Sequence, residues 1–372
     1  MFHVIKGITE LTKLHSVRTD YDTFRLHYTF TVVILLTFSV VVTSTQIVGQ
    51  PITCDYNREE RLKKLMNTYC WIHSTFLNPE AFNKSVGDEV PHPGIDSSPV
   101  APHFRFYTYY QWVYFMFFLQ AILFYIPRWL WKTWEGRKME TLTSAFDNIL
   151  VSEKDKRKKM ECLAKYIVKT WKLHNWYATK YMLCEFLALA NVVGQLFILH
   201  RFFDGEFLRF GADVVRYAIS FQYSTASNAT GHNRMDPKIM LFPHVTKCIF
   251  RKYGKGSNIE THDALCVMTI NIINEKFYIF LWFWFVVLAV LSAMAFISNV
   301  LLISVPLLRS YALHIRTQSI DQRKIYALIR RGSFGDFFLL DLLSLNVDRY
   351  LFKELIMEVY QQTSSTEIMF KL

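Results

Sequence analysis

Residues 277–303 read FYIFLWFWFVVLAVLSAMAFISNVLLI, with no Asp, Glu, Lys or Arg. About 20 apolar residues in a helix cross the hydrocarbon core of a bilayer, so this run is long enough to span one. A core helix of a soluble protein keeps a polar face, and residues 277–291 offer almost none. Three other runs share the character: Tyr28 to Val48 (YTFTVVILLTFSVVVTSTQIV), Tyr107 to Trp131 (YTYYQWVYFMFFLQAILFYIPRWLW) and Tyr181 to Leu199 (YMLCEFLALANVVGQLFIL). Glu185 is the sole acidic residue in the four, and the first cation inside them is Arg128, at the end of the second. The reading is four transmembrane helices.

Composition agrees. The 372 residues are 52% hydrophobic and 16% aromatic, with mean hydropathy +0.15 and a formal net charge of +11. Disordered chains lack aromatic and β-branched residues, so that class is excluded. With Gly 13 and Cys 6, collagen and disulfide mini-proteins are excluded as well. A basic, apolar chain leaves a nucleic-acid binder or a membrane protein with charged loops, and the four runs select the second. In the second run Pro127 predicts a kink rather than a stop. Arg128 and Lys132 can snorkel to the headgroups beside a belt of Trp129, Trp131 and Trp134.

Charge sets the orientation. Thirteen Lys and Arg fall in 128–180, nine follow residue 303 and four precede residue 28, against six in 49–106 and ten in 200–276. The first three segments carry a net +10 and the other two +2. The positive-inside rule places both termini and the central loop in the cytoplasm. The outer loops hold Cys54 and Cys70, then Cys248 and Cys266, which suits an oxidising compartment. Four cysteines allow three connectivities. Each outer loop also carries a glycosylation sequon, at Asn83 and Asn228. The first run begins after residue 27 and has no A-x-A site behind it, which predicts a retained span rather than a cleaved signal.

No catalytic or metal pattern emerges. The sequence has no C-x-x-C, no H-x-x-x-H, no phosphate-loop motif and no G-x-S-x-G. Neither an enzyme nor a cofactor is expected. The basic run Lys154, Lys156, Arg157, Lys158, Lys159 beside a span reads as a lipid-facing or solvated helix face rather than a nucleic-acid patch. Intramembrane Glu185 reads as a structural carboxylate bonded to a neighbouring helix, with water or the indole of Trp176 to help it.

Residues 109–113, Tyr109-Tyr110-Gln111-Trp112-Val113, resemble the signature pentapeptide of the innexins, the gap-junction proteins of invertebrates. VPHPGI at 90–95, FYIPRWLWKTWEG at 124–136, RFFDGEF at 201–207, FPHVTKC at 242–248, HDALC at 262–266 and NEKFYIFLWFWF at 274–285 also resemble innexin segments, in the right order. The likeness covers about residues 1–350 and is strongest to insect innexins; virus-encoded vinnexins are similar. One departure is Thr269, where innexins carry proline. Thr leaves φ free, which predicts a looser lead into the fourth span and weaker end-to-end docking.

The resemblance implies an all-α membrane protein with four transmembrane helices, cytoplasmic N- and C-termini, disulfide-stapled extracellular loops containing a little β, and a helical cytoplasmic dome. The expected segments are 1–27 (N-terminal pore helix), 28–48, 49–106, 107–131, 132–180, 181–199, 200–276, 277–303 and 304–372. The implied disulfides are Cys54–Cys266 and Cys70–Cys248. The N-terminal helix, with Phe2, Ile5, Ile8, Leu11 and Leu14 at helical spacing, is otherwise an interfacial helix. By resemblance it folds into the pore, with Met1, Phe2, His3, Val4 and Ile5 nearest the axis.

Ser39, Thr43 and Gln46 share one helical face. They read as a pore lining or, alternatively, as helix contacts with hydroxyls bonded to their own backbone. Asn57 and Glu60 form a capping-box pattern that predicts a helix over 58–70. Its Arg58, Arg61 and Lys63 read as pore mouth or as a solvated face. Further helices are expected over 142–172 and 347–360. The expected partners are copies of itself in a ring of about eight, a docked ring on the adjacent cell, other innexins and membrane lipids, with no nucleic acid. The expected location is the plasma membrane at gap junctions. Two alternatives stand: a non-docking hemichannel or viral modifier of host channels, and a pore-less four-span adhesion or scaffold protein.

Overall fold

The computed structural model describes residues 17–55, 60–96, 104–144, 153–226, 236–254, 256–317 and 320–371. In chain order the elements are α1 (Asp22–Val48), β1 (Thr53–Asp55), α2 (Glu60–His73), β2 (Thr75–Leu77), β3 (Arg105–Tyr107), α3 (Val113–Glu135), α4 (Lys138–Thr143) and α5 (Glu153–Lys169). They continue with α6 (Asn175–Phe202), α7 (Phe207–Ala226), α8 (Pro237–Leu241), β4 (Val245–Tyr253), β5 (Ile259–Val267) and α9 (Thr269–Ser304). The chain ends with α10 (Pro306–Thr317), α11 (Gln322–Arg331), α12 (Phe334–Ser344) and α13 (Arg349–Lys371).

Helices α1, α3, α6 and α9 are each long and apolar enough to cross a membrane. Helix α3 passes through Pro127 without ending. The second span starts later than its sequence suggests. Tyr107 closes β3 and Tyr109–Gln111 form a 3-10 turn, so the helix proper begins at Val113. The third and fourth helices extend beyond their apolar runs, from Asn175 and from Thr269.

The chain divides into two compact units. One contains 33–122 and 192–287. Its antiparallel sheet has the order β1-β5-β4-β2-β3. The β4–β5 hairpin supplies the long pairing, from Val245 opposite Val267 to Tyr253 opposite Ile259. Alternation puts Thr246, Cys248, Ala264 and Cys266 inside. Helix α7, which lies between the third and fourth spans, is absent from the sequence reading. It meets α9 where Gly211 faces the Trp282 indole, and a Cβ there would overlap the ring. Trp282 donates its indole N–H to the Leu208 carbonyl, 3.2 Å.

The other unit contains the chain up to Val32, 123–191 and 288–372. Its core includes Trp131, Tyr181, Phe338, Leu340 and Leu355. The Trp131 and Tyr181 rings lie 5.0 Å apart, as do those of Tyr181 and Phe338. In α12 every residue from Gly335 to Leu343 is buried, as befits a helix that is apolar on nearly all sides. The expected helix over 142–172 is two helices, α4 and α5, whose described residues leave out 145–152.

Candidate functional site: the first span and its supports

The first span contacts its neighbours through one face. The Ser39 hydroxyl donates to the Tyr114 carbonyl at 3.0 Å, and the Gln46 amide to the Tyr110 carbonyl at 3.3 Å. Thr43 bonds back to the Ser39 carbonyl, 2.8 Å. The Phe38 ring stacks on Phe277 with centroids 3.9 Å apart. Ser39 is buried, and Thr43 and Gln46 are half-buried. The polar stripe read from the sequence therefore lies on the packed side of α1.

From Val32 to Val48 the exposed residues are Thr37, Val40, Val41, Ser44, Ile47 and Val48, and Phe30, two turns before Thr37, is exposed as well. At 3.6 residues per turn these positions form one face, roughly opposite Ser39 and Gln46. Beyond Phe30 at its start, it carries only β-branched and hydroxyl side chains. The exposed positions of the other spans are bulkier: Phe115, Phe118 and Leu119 on α3, Phe186 and Phe197 on α6, Phe280 and Met294 on α9.

At its start α1 contains a π-helical turn, Leu26–Thr31, closed by the Thr31 hydroxyl on the Leu26 carbonyl, 2.9 Å. There His27 is buried, with Nε2 2.6 Å from Ser292 Oγ of α9. Ser292 already donates to the Leu288 carbonyl, 2.6 Å, so His27 Nε2 carries the proton in this pair.

The segment before α1 is strapped down. Arg128 of α3 reaches Asp20 (2.8 Å) and Thr19 (3.1 Å), and Trp131 donates to the Thr19 carbonyl, 3.0 Å. The Tyr21 hydroxyl donates to Asp341 of α12, 2.6 Å, which also accepts from Arg316 Nε, 3.1 Å. Asn346 both accepts from the Arg18 N–H and donates to its carbonyl. Burial pushes the Asp20 carboxyl up, ahead of the opposing pull of Arg128.

A second hub holds the entry to α6. Asp336 accepts from His174 Nδ1 (2.9 Å), the Lys172 N–H (2.9 Å) and both the N–H and hydroxyl of Ser333 (2.8 Å each). Burial alone would raise this carboxyl, but these donors, His174 first, hold it below the usual carboxylate range. Gly335 is needed because a Cβ there would overlap the His174 backbone. No pattern in the sequence analysis singled out Asp336.

In the sheet-containing unit, disulfides join Cys54 to Cys266 and Cys70 to Cys248. Cys54 and Cys266 are direct partners across β1 and β5. The signature pentapeptide lies beside them. Tyr110 donates to the Cys70 carbonyl (3.2 Å), Tyr109 to the Leu241 carbonyl (2.9 Å), and Gln111 to the carbonyls of Trp71 and Ile72. Trp112 is exposed and Val113 buried. YYQWV thus clasps the end of α2 to the start of α3.

The lead into α9 is held despite Thr269. The Met268 N–H donates to the His244 carbonyl (2.7 Å), the Ile270 N–H to Pro51 (3.3 Å) and the Asn271 amide to Pro243 (2.8 Å). Glu185 accepts from Asn299 of α9 at 2.6 Å, while Trp176 is exposed. Lys63 and Asn83 are exposed, the latter ending a 3-10 turn, Pro79–Asn83. Met1, Phe2, His3, Val4, Ile5, Arg58 and Asn228, and the side chain of Arg61, lie outside the described residues.

The chain is similar to known proteins over nearly its whole length. The sequence profile of the family described as Innexin matches residues 20–363. The chain is 43% identical to innexin shaking-B of Drosophila melanogaster, over 96% of this chain and 94% of that protein. It is 40% identical to innexin inx2 of Schistocerca americana, over 99% and 100%. It is 29% identical to innexin inx4 of Drosophila melanogaster, over 99% and 98%. With four spans, two disulfides between the loops that separate them and this extent of match, the chain belongs to the innexin family.

Proposed function

We propose that about eight copies of this chain close into a ring whose water-filled pore is bordered by the exposed face of α1, with both chain termini in the cytoplasm. Innexins are gap-junction channel subunits of the plasma membrane, and this chain is one of them. The observation that carries the pore assignment is the contrast between outward faces. From Thr37 to Val48 this face has no exposed aromatic, with Phe30 only at its start, whereas Phe115 and Phe118 of α3, Phe186 and Phe197 of α6, and Phe280 and Phe283 of α9 put aromatic rings outward among aliphatic groups, as suits lipid. β-Branched and hydroxyl side chains leave the axis open, and along it Ser44 offers water a hydroxyl, while Thr37, whose proton is on the Val33 carbonyl, offers an acceptor. Ions and small metabolites would pass with little dehydration.

On the outer side, the disulfides and the YYQWV clasp support rigid loops. Rigid loops lose little freedom when they meet an identical ring on the next cell, which favours docking. Arg58, Arg61 and Lys63 would set charge preference at the outer mouth, and Met1 to Ile5 the width at the inner one. Paired-cell recording tests this reading. Junctional current between two expressing cells is expected. Dye uptake by single cells without coupling would remove docking, and no conductance in either assay, with the chain at the surface, would remove the pore.

A further inference from the structure

Helix α10 has its polarity reversed for a helix in water. Its buried side carries Arg309, Ser310, Leu313 and Thr317. Its outward side carries Leu307, Leu308, Tyr311 and Ile315, with Leu307 64% and Tyr311 57% exposed. Soluble surface helices turn their apolar stripe to the core, so this outward face calls for an apolar cover.

The preceding helix indicates which cover. The exposed apolar stripe of α9 runs from Phe280 to Ile303. At 1.5 Å per residue that is about 35 Å, slightly more than the roughly 30 Å hydrocarbon core. Helix α9 has therefore reached headgroup level when it ends at Ser304, and after Val305 alone Pro306 opens α10. A basic helix that begins at this depth with Leu, Ile and Tyr on one side has the composition of an interfacial segment.

A groove of about 450 Å³ adjoins this helix. Its apolar wall includes Ile315, Val347 and Phe352, and its polar wall Ser344, Arg316 and Arg349. Arg316 keeps its Nε on Asp341 at 3.1 Å; apolar surface beside its guanidinium and that of Arg349 complements a lipid with a phosphate head, since Arg recognises phosphate through its N–H groups.

We propose that α10 lies in the cytoplasmic leaflet with Leu307, Leu308, Tyr311 and Ile315 among the acyl chains, and that the groove beside it binds an anionic phospholipid through Arg316 and Arg349. This rests on the cytoplasmic placement of the residues after α9.

The test uses the full chain with Cys162→Ser, a spin label on Tyr311→Cys or Ile315→Cys, and bilayers of phosphatidylcholine and phosphatidylserine. Collision with oxygen is expected to exceed collision with a water-soluble nickel chelate several-fold, as at Met294→Cys on α9. Nickel access like that at Lys158→Cys, on an exposed cytoplasmic face, would overturn the proposal. So would exclusion of both reagents with Leu308→Cys cross-linking between copies, which assigns the face to a neighbouring subunit. Arg349→Gln should lower the phosphatidylserine retained per purified subunit several-fold and leave phosphatidylcholine unchanged. Equal retention would overturn the lipid site, even if channel activity in paired cells is intact.

Discussion

The sheet-containing unit joins distant segments through Cys54–Cys266 and Cys70–Cys248. The helical unit leaves Cys162 and Cys184 unbonded and joins its distant segments through three buried aspartates: Asp20, Asp336 and Asp341. The difference follows the compartments assigned by charge. Disulfides persist outside the cell and are reduced inside it. Inside, a buried carboxylate surrounded by donors does the same joining, but reversibly and with a dependence on charge. The disulfide-joined unit is suited to holding one shape, and the helical unit to yielding to a change in its partners.

The contrast can be broken most severely on the outer side. Cys70→Ser with Cys248→Ser should cost about 2–5 kcal/mol, because the bridge restrains loops far apart in sequence. Surface biotinylation with junctional recording would read this as lost coupling. Reductant added outside should act in the same direction, with no matching effect of Cys162→Ser.

Next in size is Arg128→Gln. It leaves Asp20 buried without its cation, which costs about 3 kcal/mol after allowance for the partial exposure of Arg128. The sign with pH is specific. A carboxyl whose folded pKa is raised favours the fold as pH falls through that value, so the thermal deficit of the variant should shrink on acidification.

Asp336 sharpens the contrast from the opposite side. Its folded pKa is lowered, so its stabilisation is present above the unfolded value and lost as pH falls through the folded one. Melting of the purified channel should show no loss from this group between about pH 8 and 5, and a loss below about pH 4. Asp336→Asn should cost about 1–3 kcal/mol and remove that acid-dependent part. An Asp336→Asn protein as stable as the parent would deny the hub its role.

The four spans and the paired outer loops were legible in the sequence because length and apolarity alone mark a span, and cysteine partitions by compartment. The inward or outward sense of α1 was not. Ser39, Thr43 and Gln46 are polar, but in an apolar setting such groups bond to nearby carbonyls, here those of Tyr114, Ser39 and Tyr110, as readily as they face water. Helix α7 was missed because its stretch was read for charge, while its packing turns on one glycine, Gly211, facing Trp282. The roles of Tyr110 and Gln111 were hidden for another reason. Their acceptors are backbone carbonyls of Cys70, Trp71 and Ile72, about forty residues away, which leave no trace in side-chain identity.

The smallest perturbation bears on the pore itself. Ser44→Cys and Ser39→Cys differ from the parent by one atom each and lie on opposite faces of α1. In open hemichannels recorded from single cells, a charged, membrane-impermeant thiol reagent should react rapidly with Ser44→Cys and change the current, and should leave Ser39→Cys untouched. Reaction at Ser39→Cys with none at Ser44→Cys would contradict the assignment of the pore to the small exposed face of the first span.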